Sequence, residues 1–209
     1  MKTFLNYLDE AAGGKLSIYD MDDTIIRSPH IQVHVKDKDG NRVGSLSTHD
    51  FADHTLEPGQ SYDFAEFKKA RNLRQSTPIP NMIRHINHAQ QVANRSPNHK
   101  VAIVTARSDF DSGPQTIQAL KRLGVKDMDN IHLHRAGNIP GNMPDADKKL
   151  VHIRKYLDTG KYKQAHMYDD SKRNLNAFHT LRKEYPHVAF SAYHIDEAGK
   201  PSRYEPSDK

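Results

Sequence analysis

The sequence predicts an α/β protein: a three-layer sandwich with a mostly parallel sheet, carrying a small hairpin-containing insertion. Three observations lead there. Residues 16–19, 101–104 and 165–168 are short, mostly apolar runs, the middle one continuous, the pattern of strands buried on both faces. Between them lie stretches with apolar residues at helical spacing, and strand–helix alternation implies a Rossmann-like sheet covered on both sides. Ile31, Val33 and Val35 instead alternate with polar residues, then meet Asp39-Gly40 and the run 43–46, which is the signature of an antiparallel hairpin.

Taken in order, Phe4, Leu5 and Leu8 suggest a leading helix that stops at Gly13-Gly14. Gly13-Gly14-Lys15 is not a P-loop, because the upstream glycine is missing and Leu16 follows the lysine. After the first strand and the hairpin, residues 48–80 read as polar and irregular, a length often found in functional covers. Met82, Ile83, Ile86, Ala89 and Ala93 mark a helix over 81–94, and Ser112-Gly113-Pro114 opens another with Ile117, Leu120 and Leu123 inward. A short strand at 131–134 precedes a helix over 145–157, with Leu150, Ile153 and Leu157 on one face. Leu175, Phe178 and Leu181 define a further helix, a strand follows at 188–195, and the tail after Gly199 is expected to be loose. The expected division is a core of 1–26 and 81–199, an insertion of 27–80, and the tail 200–209.

The 209 residues suit one domain with an insertion. Cysteine is absent, which removes disulfides, thiolate metal sites and a cysteine nucleophile. No long apolar run occurs, so a cytoplasmic protein without a membrane span is expected. A formal charge of +5 and a pI near 9.2 favour a phosphorylated or polyanionic partner. The fourteen histidines are scattered, and His132 and His134 share a strand face without a third ligand nearby in sequence. His49-Asp50 lies in a segment without the helical periodicity an HD-type metal hydrolase needs.

Three strands end in polar clusters: Asp20-x-Asp22-x-Thr24, Thr105-x-Arg107 and Asp169-Asp170. In a parallel sheet these ends share one edge, where carboxylates, a hydroxyl and cations can converge. Crowded carboxylates repel, so the cluster points to a hard cation such as Mg2+ held through oxygen. On the 145–157 helix Lys149 falls with Ile153 and Leu157, whereas Lys148 falls with His152 and Lys155. Lys149 is the preferred partner of this cluster; Lys148 stays as the alternative, since a helix start is easily misplaced by one residue.

In this order the motifs resemble those of the haloacid dehalogenase superfamily of aspartyl-phosphate hydrolases, over residues 16–180. The resemblance implies Asp20 as nucleophile and Asp22 as the acid and base that makes a phosphatase rather than a dehalogenase. It further implies Thr105 and the lysine as phosphate partners, and Mg2+ held by Asp20, Asp169, Asp170 and the Asp22 carbonyl. Tyr62-Asp63, Thr77-Pro78, Thr105-Ala106-Arg107 and Arg135 are similar to the 3′-phosphatase domain of phage-type polynucleotide kinase/phosphatases. That likeness implies Thr24, Arg107 and Arg135, with Arg27 and Arg42 of the insertion, as substrate contacts, and nucleic-acid 3′ ends as substrate. Nucleotides or other small phosphomonoesters are the alternative substrates, and a non-catalytic nucleic-acid-binding protein is the alternative of another class. The insertion would then be a substrate-selecting cap. Its basic residues could meet a phosphate backbone, but no stacking platform is legible in the sequence.

Overall fold

The structure, a computed structural model, describes residues 13–108 and 111–206. The expected leading helix lies outside them. Six strands form the central sheet: β1 (Gly14–Tyr19), β7 (Lys100–Thr105), β8 (His132–Arg135), β9 (Tyr162–Asp169), β10 (Ala189–Ile195) and β11 (Pro201–Tyr204). Their order is β11-β10-β9-β1-β7-β8, parallel except for the antiparallel pair β10–β11. The carboxyl ends of β1, β7 and β9 therefore share one edge.

Strand alternation sends the two side-chain sets of β1 to opposite faces. Leu16 and Ile18 join Ala102, Val104, Ile153 and Phe178, under α4 (Asp145–Leu157) and α5 (Lys172–Glu184). Tyr19 joins Ile103, Met82, Ile86 and Leu120, under α2 (Pro80–Arg95) and α3 (Gly113–Arg122). Helices, sheet and helices make the three expected layers. In α3 the inward positions are Thr116, Ala119 and Leu120, and Ile117 is only partly covered.

The tail is not loose as far as residue 204. β11 pairs with β10, and the turn between them seats Gly199 against Ile79, where an added Cβ would lie 2.2 Å from Ile79 Cγ2. Glycine is required there for its φ of +73° and for that approach. Polar composition concealed an edge strand, whose outward residues need no apolar pattern.

The insertion is more regular than expected. β3 (Val33–Lys36) and β4 (Arg42–Leu46) form the hairpin, and β5 (Ser61–Asp63) adds to its open edge as a third strand. A short helix α1 (Thr48–Asp53), capped by Ser47, and 3-10 turns at Ala65–Lys68 and Ala70–Gln75 fill the rest. His34 ties the layers by bonding Ser45 Oγ at 2.8 Å and Glu66 Oε1 at 3.0 Å. β2 (Ile26–Arg27) and β6 (Thr77–Pro78) pair at the neck. The core resumes before residue 81: Ala70, Leu73 and Ile79 are buried in the α2–α3 cluster. No helix among the described residues is long and apolar enough to cross a membrane.

Two half-buried histidines make stability pH-dependent. Burial, aided by His152, His132 and Lys155, pushes His134 down to about 4; burial, with Lys15, His85 and Arg203, does the same to His166. The unfolded chain takes up protons below about pH 6.5 that the folded chain refuses, so these residues cost stability as pH falls from 6.5 towards 4. Partial exposure reduces the effect to about 1 kcal/mol each between pH 7 and 5. Urea midpoints at the two pH values check this: in His166→Gln the stability difference between pH 7 and pH 5 should shift in favour of pH 5. An unchanged difference refutes the assignment.

Candidate metal and phosphate site

The site begins where β1 stops. The Asp20 N–H donates to the Tyr168 carbonyl at 2.9 Å, the last rung joining β1 to β9. The chain then turns sharply: the Ile25 and Ile26 N–H groups return to the Met21 carbonyl, and Asp23 takes a φ of +53°. Aspartate tolerates this left-handed conformation better than most residues, which gives Asp23 a turn role. Thr24 then faces the end of β9. Its Oγ1 donates to Asp170 Oδ1 at 3.2 Å and accepts from the Asp170 N–H at 3.1 Å.

Lys149 lies at the centre. It is 1% exposed, and its Nζ lies 2.8 Å from both Asp20 Oδ1 and Asp169 Oδ2. Asp169 also accepts from the Ser171 N–H and from Asn174 Nδ2, so each of its oxygens is engaged. Ser171, not Asp170, caps α5, its Oγ accepting from the Asn174 N–H. Lys148 points the other way, towards Asp145 at 3.6 Å. Helical periodicity thus pointed to the lysine that faces the carboxylates.

One ammonium bonds two of three crowded carboxylates. Oxygens of Asp20, Asp169 and Asp170 all lie within 4.8 Å of one another. Burial, reinforced by Asp169 and Asp22, raises Asp20 to about 7 against the pull of Lys149. Burial, then Asp169 and Asp20, raises Asp170 to about 8. Burial opposes the charge on Lys149, but Asp169 and Asp20 outweigh it and hold the ammonium above the ordinary lysine range. Excess negative charge on hard oxygen donors is the chemistry that accepts Mg2+, so these residues fit it.

Arg107 reaches the same edge from the end of β7. Its guanidinium grips Asp22 with two bonds, Nε to Oδ2 at 2.8 Å and Nη2 to Oδ1 at 2.6 Å. Nη1 donates to the Phe67 carbonyl at 3.1 Å, and Cζ stands 4.9 Å over the Phe67 ring. Arg107 thus bridges Asp22 and the insertion. The Asp22 carboxylate is not a member of the Asp20–Asp169–Asp170 group.

Thr105, buried at the end of β7, accepts from the Arg107 N–H at 3.2 Å. Arg135 pairs in register with Thr105 and so reaches the same edge. The following turn closes on this loop through Gly137, where a Cβ would meet the Ala106 carbonyl oxygen at 2.4 Å. The remaining two arginines are engaged elsewhere. Arg27 donates to the Glu197 carbonyl, and Arg42, exposed on the hairpin, bonds Ser45. The Asp22–Arg107–Phe67 contact had no sequence signal: it joins residues 22, 67 and 107 through a loop without periodicity.

No protein-family model matches this chain, and no curated protein matches it.

Proposed function

We propose that the chain is a Mg2+-dependent phosphomonoesterase of the haloacid dehalogenase type, acting through an aspartyl-phosphate on Asp20, with nucleic-acid 3′-phosphate ends as its leading substrate. The observation that carries this reading is Lys149, buried between Asp20 and Asp169 at the edge where Thr105 also ends its strand. Asp20, Asp169 and Asp170 would hold the metal, with the Asp22 carbonyl as the further ligand expected from the resemblance. When bound, Mg2+ would neutralise the repulsion between carboxylate and phosphate.

Asp20 attacks phosphorus, the bond from phosphorus to the ester oxygen breaks, and Asp22 gives that oxygen its proton. Water then attacks the aspartyl-phosphate, yielding its proton to Asp22 and releasing inorganic phosphate. Lys149 and Thr105 steady phosphate oxygens, and Lys149 offsets charge on Asp20 between turnovers. Arg107 takes one lone pair on each Asp22 oxygen, which leaves a second lone pair on each to carry the proton. Nothing here requires the kinase half of the bifunctional enzymes, and the basic charge of the chain favours a polyanion.

The test is phosphate release from a 3′-phosphorylated oligonucleotide, a 5′-phosphorylated one, a nucleoside monophosphate and an aryl phosphate, with Mg2+ and with EDTA. Metal-dependent release, fastest from the 3′-phosphorylated oligonucleotide, is expected. Preference for the small esters would move the substrate assignment to nucleotides or metabolites. No release from any substrate, with Mg2+ or Mn2+ between pH 5 and 9, would overturn the enzymatic reading in favour of a binding protein.

A further inference from the structure

The insertion carries a run of aromatic rings that starts at the catalytic turn. Phe67, under the Arg107 guanidinium, has its ring centroid 6.2 Å from that of Phe64. Phe64 meets Phe51 at 5.4 Å, and Phe51 meets Tyr62 at 4.9 Å, both edge to face. Tyr62 is fixed by its hydroxyl, which donates to the His54 carbonyl at 3.0 Å. Phe64 is 37% exposed, one of few large apolar side chains on the described surface. Phe64 thus presents part of an ordered aromatic group to solvent, near the edge where Arg107 holds Asp22.

Charge defines the ligand. Lys68, Lys69 and Arg71 follow Phe67 directly in the chain; Lys68 and Arg71 are exposed and Lys69 is half-buried. Of the nearby acids, Asp63 pairs with Lys36 at 2.8 Å, Glu66 accepts from His34 and from the Gln32 N–H, and Asp111 accepts from the Ala70 N–H at 2.8 Å, leaving three cations to one acid on the 68–71 segment. The surface therefore offers π faces next to net positive charge, the combination that holds unpaired bases and their phosphates. Arg107 makes it continuous with the site, since one guanidinium contacts both Phe67 and Asp22.

We propose that Phe64 and Phe67 form a stacking platform for the unpaired bases next to a 3′-phosphate, with Lys68, Lys69 and Arg71 along the backbone, so that the preferred substrate is a single-stranded polynucleotide end. The proposal rests on the phosphatase reading for the position of the end, but not for the platform itself. Duplex bases are stacked on one another and offer no face to these rings. A lone nucleotide covers only part of the series.

Two measurements on the whole protein separate the readings. The first is fluorescence anisotropy of a labelled single-stranded oligothymidylate ending in a 3′-hydroxyl, which binds without turnover. Phe64→Ala should weaken binding on the order of ten-fold, Phe64→Tyr should retain it, and Lys68→Ala should flatten its salt dependence. The second compares Mg2+-dependent hydrolysis of the 3′-phosphorylated oligonucleotide with that of an aryl phosphate: Phe64→Ala should lower kcat/KM for the oligonucleotide by much the larger factor. If Phe64→Ala and wild type bind the oligonucleotide equally, or wild type does not bind it, the platform is overturned whatever the aryl phosphate does. Self-association lost in Phe64→Ala without oligonucleotide binding would also overturn it, making the patch a contact between copies. If binding depends on Phe64 but no ester is hydrolysed, the platform stands and the phosphatase reading falls.

Discussion

Asp20→Asn is expected to lose at least about 10³-fold in Mg2+-dependent phosphate release while unfolding at a higher temperature than wild type in EDTA at pH 8. The two effects have one cause. Asp20 sits with Asp169 and Asp170 around a single ammonium, and burial together with those neighbours raises it to about 7. A carboxyl with a raised folded pKa favours the folded state at low pH and penalises it as pH climbs from the ordinary carboxylate range through 7. Asparagine removes the charge, keeps the shape and still accepts from Lys149, which retains Asp169 as a partner. A gain of about 1–2 kcal/mol is expected at pH 8, and roughly a third of that at pH 5, because the penalty begins where the unfolded carboxyl ionises near pH 4 and grows until the folded one does near 7. Adding Mg2+ should reverse the order, because only the wild type keeps all three carboxylates for it. Melting curves at the two pH values, with and without metal, check each part. A variant that melts lower than wild type in EDTA at pH 8 would show that Asp20 is a structural ion-pair member and not a strained catalytic carboxylate.

The same balance explains what the sequence disclosed. Parallel strands buried on both faces are rich in apolar residues, so β1, β7 and the second half of β9 were legible, and with them the edge where Asp20, Thr105 and Asp169 lie. Lys149 was legible because a helix repeats every 3.6 residues and its apolar neighbours Ile153 and Leu157 fix its side. β5 and β11 were not, because edge strands with one wet face carry polar residues that also suit a loop. Least legible was the Arg107 clamp. Basic residues after a strand suggest an anion, and nothing in the spacing tells whether that anion is a substrate phosphate or Asp22. The aromatic surface was hidden for a related reason: Phe51, Tyr62, Phe64 and Phe67 are brought together by a short helix, a strand and a 3-10 turn whose packing no local pattern specifies.

Lys149→Met should have the opposite sign from Asp20→Asn. Methionine fills much of the buried volume but leaves Asp20, Asp169 and Asp170 without their cation, and an uncompensated buried charge costs about 3–5 kcal/mol. The loss depends on pH in a defined direction. Without Lys149 the carboxyls bind protons more tightly still when folded, so the variant approaches wild-type stability towards pH 5 and falls furthest behind at pH 8. Mg2+ should recover part of the loss at pH 8, since a divalent cation among the same oxygens supplies the missing charge. Lys148→Met, which removes only a half-exposed pair with Asp145, should change stability by less than about 1 kcal/mol at either pH. Urea unfolding of both variants decides the matter. Equal and small losses for the two lysines would mean that the Asp20–Lys149–Asp169 contacts do not hold in solution. A large loss that is the same at pH 5 and pH 8 would mean that Lys149 acts by packing alone, and its part in offsetting charge on Asp20 would fall with it.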